Sequence, residues 1–380
     1  MSALHVLIIF LAVYYCVVVL GLCVGLRRIR YKKSDIRPFV SVIVAARNEE
    51  RTIGTLLIQL TRQTYPSYEI IVVNDRSTDR TREIIESFQR SHPSVKRIDI
   101  TSLDGEMPPK KNALARGIAE SKGEILCFTD ADCIPPLGWL AELVGAFGTG
   151  VGLVAGYSPY DPSLLSPSTR KGVLKSIFYS FLEYEEFKGA VWSAGAIGLR
   201  KGWLCTGRSL AYRKAVYDEV GGFEKIRHSI SGDDDLFLQL VRRATRWNIR
   251  YVMEPGSYVR TAPPPTLRAF VQQRTRHFSA SRFFPPLMKL FFFVFHSANL
   301  ILFLSLVGTI ILNGPSIPLW AFAAKVICDS MLFLVAAPMF SAWAFAPSFV
   351  LMEFLYIAYN TAIGPLGLFK RFEWKPERES

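Results

Sequence analysis

The sequence predicts an α/β domain built on a largely parallel sheet and tied to a membrane at both ends. Three observations predict it. Between residues 39 and 89, apolar runs of strand length alternate with amphipathic stretches of helical period, the pattern of parallel strands joined by right-handed crossovers. Each apolar run ends in a polar cluster, so these ends collect on the carboxyl edge of one sheet. Long uncharged stretches flank this region on both sides, and they are long enough to cross a bilayer.

The first of these stretches, Ala3 to Leu26, holds 24 residues without a formal charge. Its core is too long for a signal peptide, and no small-residue cleavage site follows. The basic run Arg27-Arg28-Ile29-Arg30-Tyr31-Lys32-Lys33 comes next. Such a flank stays on the cytoplasmic side, which puts the start of the chain outside and its middle inside. Strands are expected at 39–46 and 68–75, with helices at 49–63 and 79–89. A third strand at 95–100 leads through a Pro-containing loop to a helix that opens at Lys110-Lys111-Asn112-Ala113-Leu114 and ends near Ser121. Ile125, Leu126 and Phe128 then form a short buried strand.

Beyond it, Trp139 to Phe147 reads as helix and 151–158 as strand. Lys171 to Phe187 reads as an amphipathic helix, with Glu183, Glu185 and Glu186 expected in solvent. Pro263-Pro264-Pro265 marks a boundary. Residues 266–284 mix basic and apolar side chains at helical spacing, as in a helix lying in the membrane interface. Apolar spans follow at roughly 290–312, 317–339 and 345–368. Lys325, Asp329 and Glu353 fall inside them and are expected to face a protein interior. Three C-terminal crossings would leave the tail outside, whereas Lys370, Arg371 and Lys375 argue for inside. One of these segments is therefore expected to be re-entrant or interfacial. The organisation expected is a transmembrane helix at 1–27, a cytosolic domain at 38–262, an interface helix at 263–285, a membrane region at 286–368 and a polar tail at 369–380.

The formal net charge is +13, and its basic residues gather at 27–33, 268–289 and 370–378, beside the membrane segments. No nucleic-acid motif accompanies them. Anionic lipid headgroups, and not nucleic acid, are the expected partner. The six cysteines include no CxxC pair, so neither a zinc site nor a redox motif is indicated.

Asp130 and Asp132 follow the strand at 125–128, where it emerges at the sheet edge. Hard oxygen ligands in that place suit Mg²⁺ or Mn²⁺, although the tripeptide alone reads equally well as an acidic turn. No G-x-G-x-x-G follows the first strand and no G-x-x-x-x-G-K-[ST] occurs, which argues against a dinucleotide oxidoreductase and a P-loop NTPase. A sheet edge that carries acids instead of a glycine cradle needs a metal to neutralise a diphosphate.

In order and spacing, A-R-N-E-E (46–50), N-D-x-S-x-D (74–79), K-x-x-A-L (110–114) and D-A-D (130–132) resemble the nucleotide-binding half of the family 2 glycosyltransferases, which have the Rossmann-like GT-A fold. The resemblance implies that Asp132 holds the metal, Mg²⁺ or Mn²⁺. It places Asp75 on a uracil or its ribose, Lys110 near the nucleotide, Asp130 on the ribose or donor sugar, and Arg47 and Glu49 along the nucleotide pocket. Ser231-Gly232-Asp233-Asp234-Asp235-Leu236 is similar to the family's E-D-x-D-L, which puts the general base at Asp233. Gly232 stands where many relatives have Glu, so Asp234 stays open as the alternative. Gln273 and Arg276 resemble the Q-x-x-R of the Q-x-x-R-W motif, with His277 in place of Trp.

The resemblance implies an inverting, metal-dependent enzyme of the cytoplasmic membrane face. It would move a sugar from a nucleotide sugar, UDP-linked in the first instance, to a membrane lipid. A processive polysaccharide synthase is the alternative reading. An inactive nucleotide-sugar-binding scaffold is a remote third.

Overall fold

Seven strands form the central sheet of the computed structural model, which describes residues 2–366 apart from 103, 104 and 106. The expected polar tail, with Lys370, Arg371 and Lys375, lies outside the described residues. Helix α1 (Ala3–Arg28) comes first. Then β1 (Val40–Ala46), α2 (Ile53–Thr61), β2 (Tyr68–Asp75), α3 (Thr81–Ser91), β3 (Val95–Ile100), α4 (Pro109–Ala119) and β4 (Ile125–Phe128) alternate as the periodicity requires. The second half holds β5 (Cys133–Ile134), α5 (Trp139–Gly145), β6 (Val151–Gly156), the single turn α6 (Pro167–Arg170), α7 (Val173–Gly198), β7 (Leu210–Arg213), α8 (Lys214–Val220), α9 (Asp235–Ala244), β8 (Asn248–Val252) and β9 (Arg260–Thr261). Four helices end the described chain: α10 (Leu267–Phe278), α11 (Pro286–Ile311), α12 (Ile317–Ala336) and α13 (Phe349–Ile363).

The strand order is β3-β2-β1-β4-β7-β6-β8. Strand β7 runs antiparallel to both neighbours, and the other pairs are parallel. Strand β1 pairs with β2 on one side and β4 on the other, so the order reverses there. In open α/β sheets the crevice outside such a reversal is where ligands bind. The central strands β1 and β2 are buried on both faces, which is why they read as near-continuous apolar runs and do not alternate. Helix α2 covers one face with Ile53, Leu56, Leu57 and Leu60, packed in one cluster with Val40, Val42, Val44, Ile70 and Val72.

Helix α7 departs from the expectation in length and in burial. It runs 26 residues, to Gly198, because its small-residue second half packs on α1. The contact is backbone on backbone. A Cβ on Gly25 would sit 1.9 Å from the Gly195 carbonyl oxygen, and one on Gly198 would sit 2.0 Å from that of Gly25. Small residues permit this approach between helices that lipid does not drive together. Gly25→Val is therefore expected to force the pair apart at a cost of about 1–3 kcal/mol or more. Gly189→Ala, on the same helix with nothing within 4 Å of the added carbon, should leave thermal unfolding in detergent unchanged.

Among the described residues, α1, α11 and α12 are long and apolar enough to cross a membrane. The last of the expected spans is instead a 15-residue helix, α13, set off by a 3-10 turn at Trp343–Ser348. That is shorter than the roughly 20 residues a crossing needs. The ionisable groups of these segments face inward. Lys325 Nζ lies 2.7 Å from Asp329 Oδ2 and 3.6 Å from Glu353 Oε2, the Tyr15 hydroxyl donates to Asp329 at 2.9 Å, and Lys188 and Tyr184 of α7 bond Glu353.

Candidate active site

The carboxyl edge of β1 and β2 is two loops stitched together by side chains. The backbone N–H of Asn48 donates to Ser77 Oγ at 3.1 Å, that of Glu49 to Thr81 Oγ1 at 2.7 Å, and that of Glu50 to Asp79 Oδ2 at 3.1 Å. Asn48 Oδ1 in turn accepts from the Thr78 N–H at 2.8 Å. These bonds satisfy donors that helix starts leave open, and they hold the motif residues of both loops in one place. Arg47 is buried at the end of β1, and the Glu49 carboxylate accepts from Thr52 at 2.8 Å. Asp75 is fully buried and gripped on both oxygens by Arg76, at 2.8 and 3.2 Å.

The cleft beside them is lined by Lys110, Thr129, Asp130, Gly207, Tyr212 and Asp233, among others. Helix α4 brings Lys110 to its centre. The Lys110 Nζ stands 3.0 Å from Asp130 Oδ1 and 3.0 Å from Asp233 Oδ2. Burial disfavours its ammonium, but Asp130, Asp233 and Asp234 outweigh burial and raise its pKa. Burial likewise pushes the Asp130 carboxyl up, yet Lys110, then Arg208 and Arg276, hold it below the usual range. Asp132, two residues on, is exposed at the lip, with Cys133 Sγ 3.7 Å from one of its oxygens.

The three consecutive acids take three different jobs. Asp234 caps α9, its two oxygens accepting from the N–H groups of Asp235 at 2.7 Å and Gly207 at 2.9 Å. Asp235 accepts from the Cys205 N–H at 2.7 Å. Asp233 alone of the three lines the cleft. Burial, and then the neighbouring acid, push the carboxyls of both Asp234 and Asp235 up.

Helix α10 lies behind the loop that carries Asp233. Gln273 Oε1 accepts from the Tyr160 hydroxyl at 2.8 Å, and the Arg276 carbonyl accepts from Ser231 Oγ at 3.4 Å, next to the loop that carries Asp233. His277 is exposed and lies 3.4 Å from the Arg276 guanidinium. The structure therefore brings Lys110, Asp130 and Asp233 into one cleft, sets Asp132 at its lip, and leaves Arg47, Glu49, Asp75, Gln273 and Arg276 outside the cleft lining.

Glu185 and Glu186, expected in solvent, are instead clamped by cations. Arg274 bonds both, and Arg208, next to Gly207 of the cleft, reaches Glu186 at 2.6 Å. The reason is that α7 is sandwiched between α10 and the sheet side, so these carboxylates need charged partners once water is gone. Arg208, Arg274 and Lys111 carry no motif that would single them out.

Lys111 is a fully buried lysine whose Nζ bonds the carbonyl of Ser229 and, at 2.8 Å, that of Ser231. It pins the backbone that presents Asp233. Burial pushes its pKa down to about 8, against the pull of Asp233 and Asp234. Since an unfolded lysine keeps its proton to about pH 10.4, the folded state binds fewer protons than the unfolded one between these values, and this group's contribution to stability rises with pH across that window. Thermal unfolding of Lys111→Met from about pH 7 to 10 should lack that rise.

A family model described as "Glycosyltransferase like family 2" matches residues 37–280. The probable glycosyltransferase YdaM of Bacillus subtilis is 28% identical over 243 residues, 63% of this chain and 54% of that protein. A β-monoglucosyldiacylglycerol synthase of a Nostoc species is 27% identical over 265 residues, 66% of this chain and 51% of the relative. This chain thus spans about half the length of these relatives. The mannosyltransferase PcManGT from Pyrobaculum calidifontis, solved with GDP-Man and Mn²⁺, has the same fold: TM-score 0.52 at 19% identity, over 94% of this chain and 98% of that one. The fold is GT-A, and the chain belongs to glycosyltransferase family 2.

Proposed function

We propose that the protein transfers a sugar, with inversion, from a nucleoside diphosphate sugar, UDP-linked in the first instance, to a hydroxyl of a membrane lipid. The observation that carries this reading is the Asp130–Lys110–Asp233 chain in a cleft at the sheet's reversal point. Asp233 takes the proton from the acceptor hydroxyl as its oxygen attacks the anomeric carbon. The bond from that carbon to the diphosphate breaks, and its electrons leave with the diphosphate. One displacement from the far side inverts configuration, and no covalent enzyme intermediate forms. Arg47, Glu49 and Asp75 bound the nucleotide side, Asp130 faces the ribose or sugar, and Gln273 and Arg276 serve the donor, with Arg276 adding positive charge toward the departing diphosphate.

Among the described residues no group of three His, Cys, Asp or Glu side chains is set to hold a metal. The site fits Mg²⁺ or Mn²⁺ in a different way. Asp132 is exposed two residues beyond Asp130, and one carboxylate with substrate phosphate oxygens is a common Mg²⁺ donor set. A metal held by Asp132 would supply Lewis-acid neutralisation of the departing diphosphate. Asp132→Ala should remove the Mn²⁺ dependence of donor turnover without unfolding the sheet. A variant that titrates with Mn²⁺ at the wild-type rate would sink this assignment.

The lipid acceptor is supported by His277, which gives a smaller and more polar face than the indole on which a sugar chain can sit. It is supported also by α10 leading directly toward α11, a candidate membrane span. With α1, α11 and α12 crossing, the chain returns to the side of the sheet after α12. A polysaccharide synthase is the second reading, favoured by Gln273 and Arg276 at their motif spacing. Incubating purified protein with labelled nucleotide sugars and membrane lipids decides between them. The lipid reading expects one or a few sugars on an organic-extractable product, and a long water-soluble polymer overturns it.

A further inference from the structure

Helix α7 packs against all three candidate spans in the halves that share one boundary. Gly195 meets Gly25 near the end of α1, Trp192 stacks edge-on against Phe295 in the early turns of α11, and Phe187 meets Phe333 near the end of α12. Read from these contacts, the axis of α7 runs along the membrane surface. Its first turns project past the bundle. Lys171 to Ile177 are exposed on every side of the helix, with Val173 76% and Leu174 83% exposed. An apolar helix end bare all round is unusual for a surface that meets only water.

Along the sequence, the charge of this end has one sign. No acidic residue occurs between Asp161 and Glu183, while Arg170, Lys171 and Lys175 do. The start of α10 lies alongside, since Phe178 packs edge-on against Phe270 and the Tyr179 hydroxyl bonds the Pro265 carbonyl at 3.0 Å. It adds Leu267, 63% exposed, and the exposed Arg268.

We infer that residues 170–177 of the α6–α7 junction, with Leu267 and Arg268, form a membrane anchor distinct from the spans, inserting Val173, Leu174 and Leu267 below the headgroups of an anionic leaflet. Apolar side chains interleaved with Lys171, Lys175 and Arg268 suit that partner, and the patch is continuous with the boundary that the spans already define. The anchor fixes α7, whose Glu185 and Glu186 hold Arg274 and Arg208 at the edge of the cleft. It requires no particular sugar or acceptor.

The test is hydrogen exchange by mass spectrometry on the full chain in nanodiscs of phosphatidylcholine alone and of equimolar phosphatidylcholine and phosphatidylglycerol, and in detergent. The first amides of a helix lack intrahelical acceptors, so those at the start of α7 report directly on access of water. Protection of 171–178 is expected in the anionic discs and is reduced in neutral ones. Val173→Glu with Leu174→Glu should lose it while the rest of the exchange map is unchanged, because both side chains stand clear of the core. Lys171→Gln with Lys175→Gln should erase the difference between the two discs. Equal exchange in all three media, equal exchange in wild type and the glutamate variant, or protection in detergent that grows with protein concentration would overturn the inference, the last in favour of a second copy of the chain.

Discussion

Asp233→Asn is expected to bind the donor as the wild type does and to lose transfer by about 100- to 10,000-fold, the range over which a positioned general base contributes. The amide keeps the shape of the side chain and cannot accept the acceptor's proton. Calorimetry with a nucleoside diphosphate and a transfer assay separate the two effects. Asp234→Asn is the control for register, because that carboxylate uses both oxygens on backbone N–H groups. An amide can accept only one of those bonds, so the variant should lose about 1–3 kcal/mol of stability while retaining the chemistry. Activity lost in Asp234→Asn and kept in Asp233→Asn would reverse the assignment.

Arg274→Met is expected to destabilise the protein by about 3–5 kcal/mol, the usual consequence of removing one partner from a buried ion cluster. It strands Glu185, which keeps only the Tyr359 hydroxyl at 3.0 Å, and leaves Glu186 to Arg208 alone. Burial pushes the Glu185 carboxyl up to about 7 even with Arg274 beside it. A raised carboxyl pKa means that the folded state binds more protons than the unfolded one between about pH 4.3 and that value, so this group favours folding more as pH falls. The variant loses the cation that opposed burial, and its deficit against wild type should narrow as pH is lowered from about 8 to about 5. Melting curves in detergent at the two ends of that range read the effect directly. A deficit independent of pH would mean that packing, not the stranded carboxylate, dominates.

Much of the fold and part of the site follow from local pattern. Strand β2 lies where its apolar run begins and ends, because a strand buried on both faces leaves no choice of period. The acids after β4 emerge at the carboxyl edge because an apolar strand must end where polar residues start, and Lys110 lies in the first turn of the helix its motif opens. The candidate spans α1, α11 and α12 follow from length and apolarity alone, whereas the last expected span does not.

What local pattern could not supply are the pairings between distant residues. Lys111 finds its carbonyl partners 118 and 120 residues away, and Arg274 its carboxylates 89 and 88 residues away. In sequence, Glu185 and Glu186 look like the solvated face of an amphipathic helix. They are buried because α10 covers that face, and no residue near them announces it. The same holds for the three adjacent acids. The motif resemblance puts the base at Asp233 and leaves Asp234 open, and the tertiary structure distinguishes the three acids by presenting the N–H groups of Gly207 and Cys205 to Asp234 and Asp235. The sequence by itself determined the class of sheet, the edge at which chemistry can occur and the residue types available there. Only the tertiary structure decided which of the three adjacent acids bond backbone N–H groups and which one joins Asp130 at the cleft, because that depends on donors delivered by segments far apart along the chain.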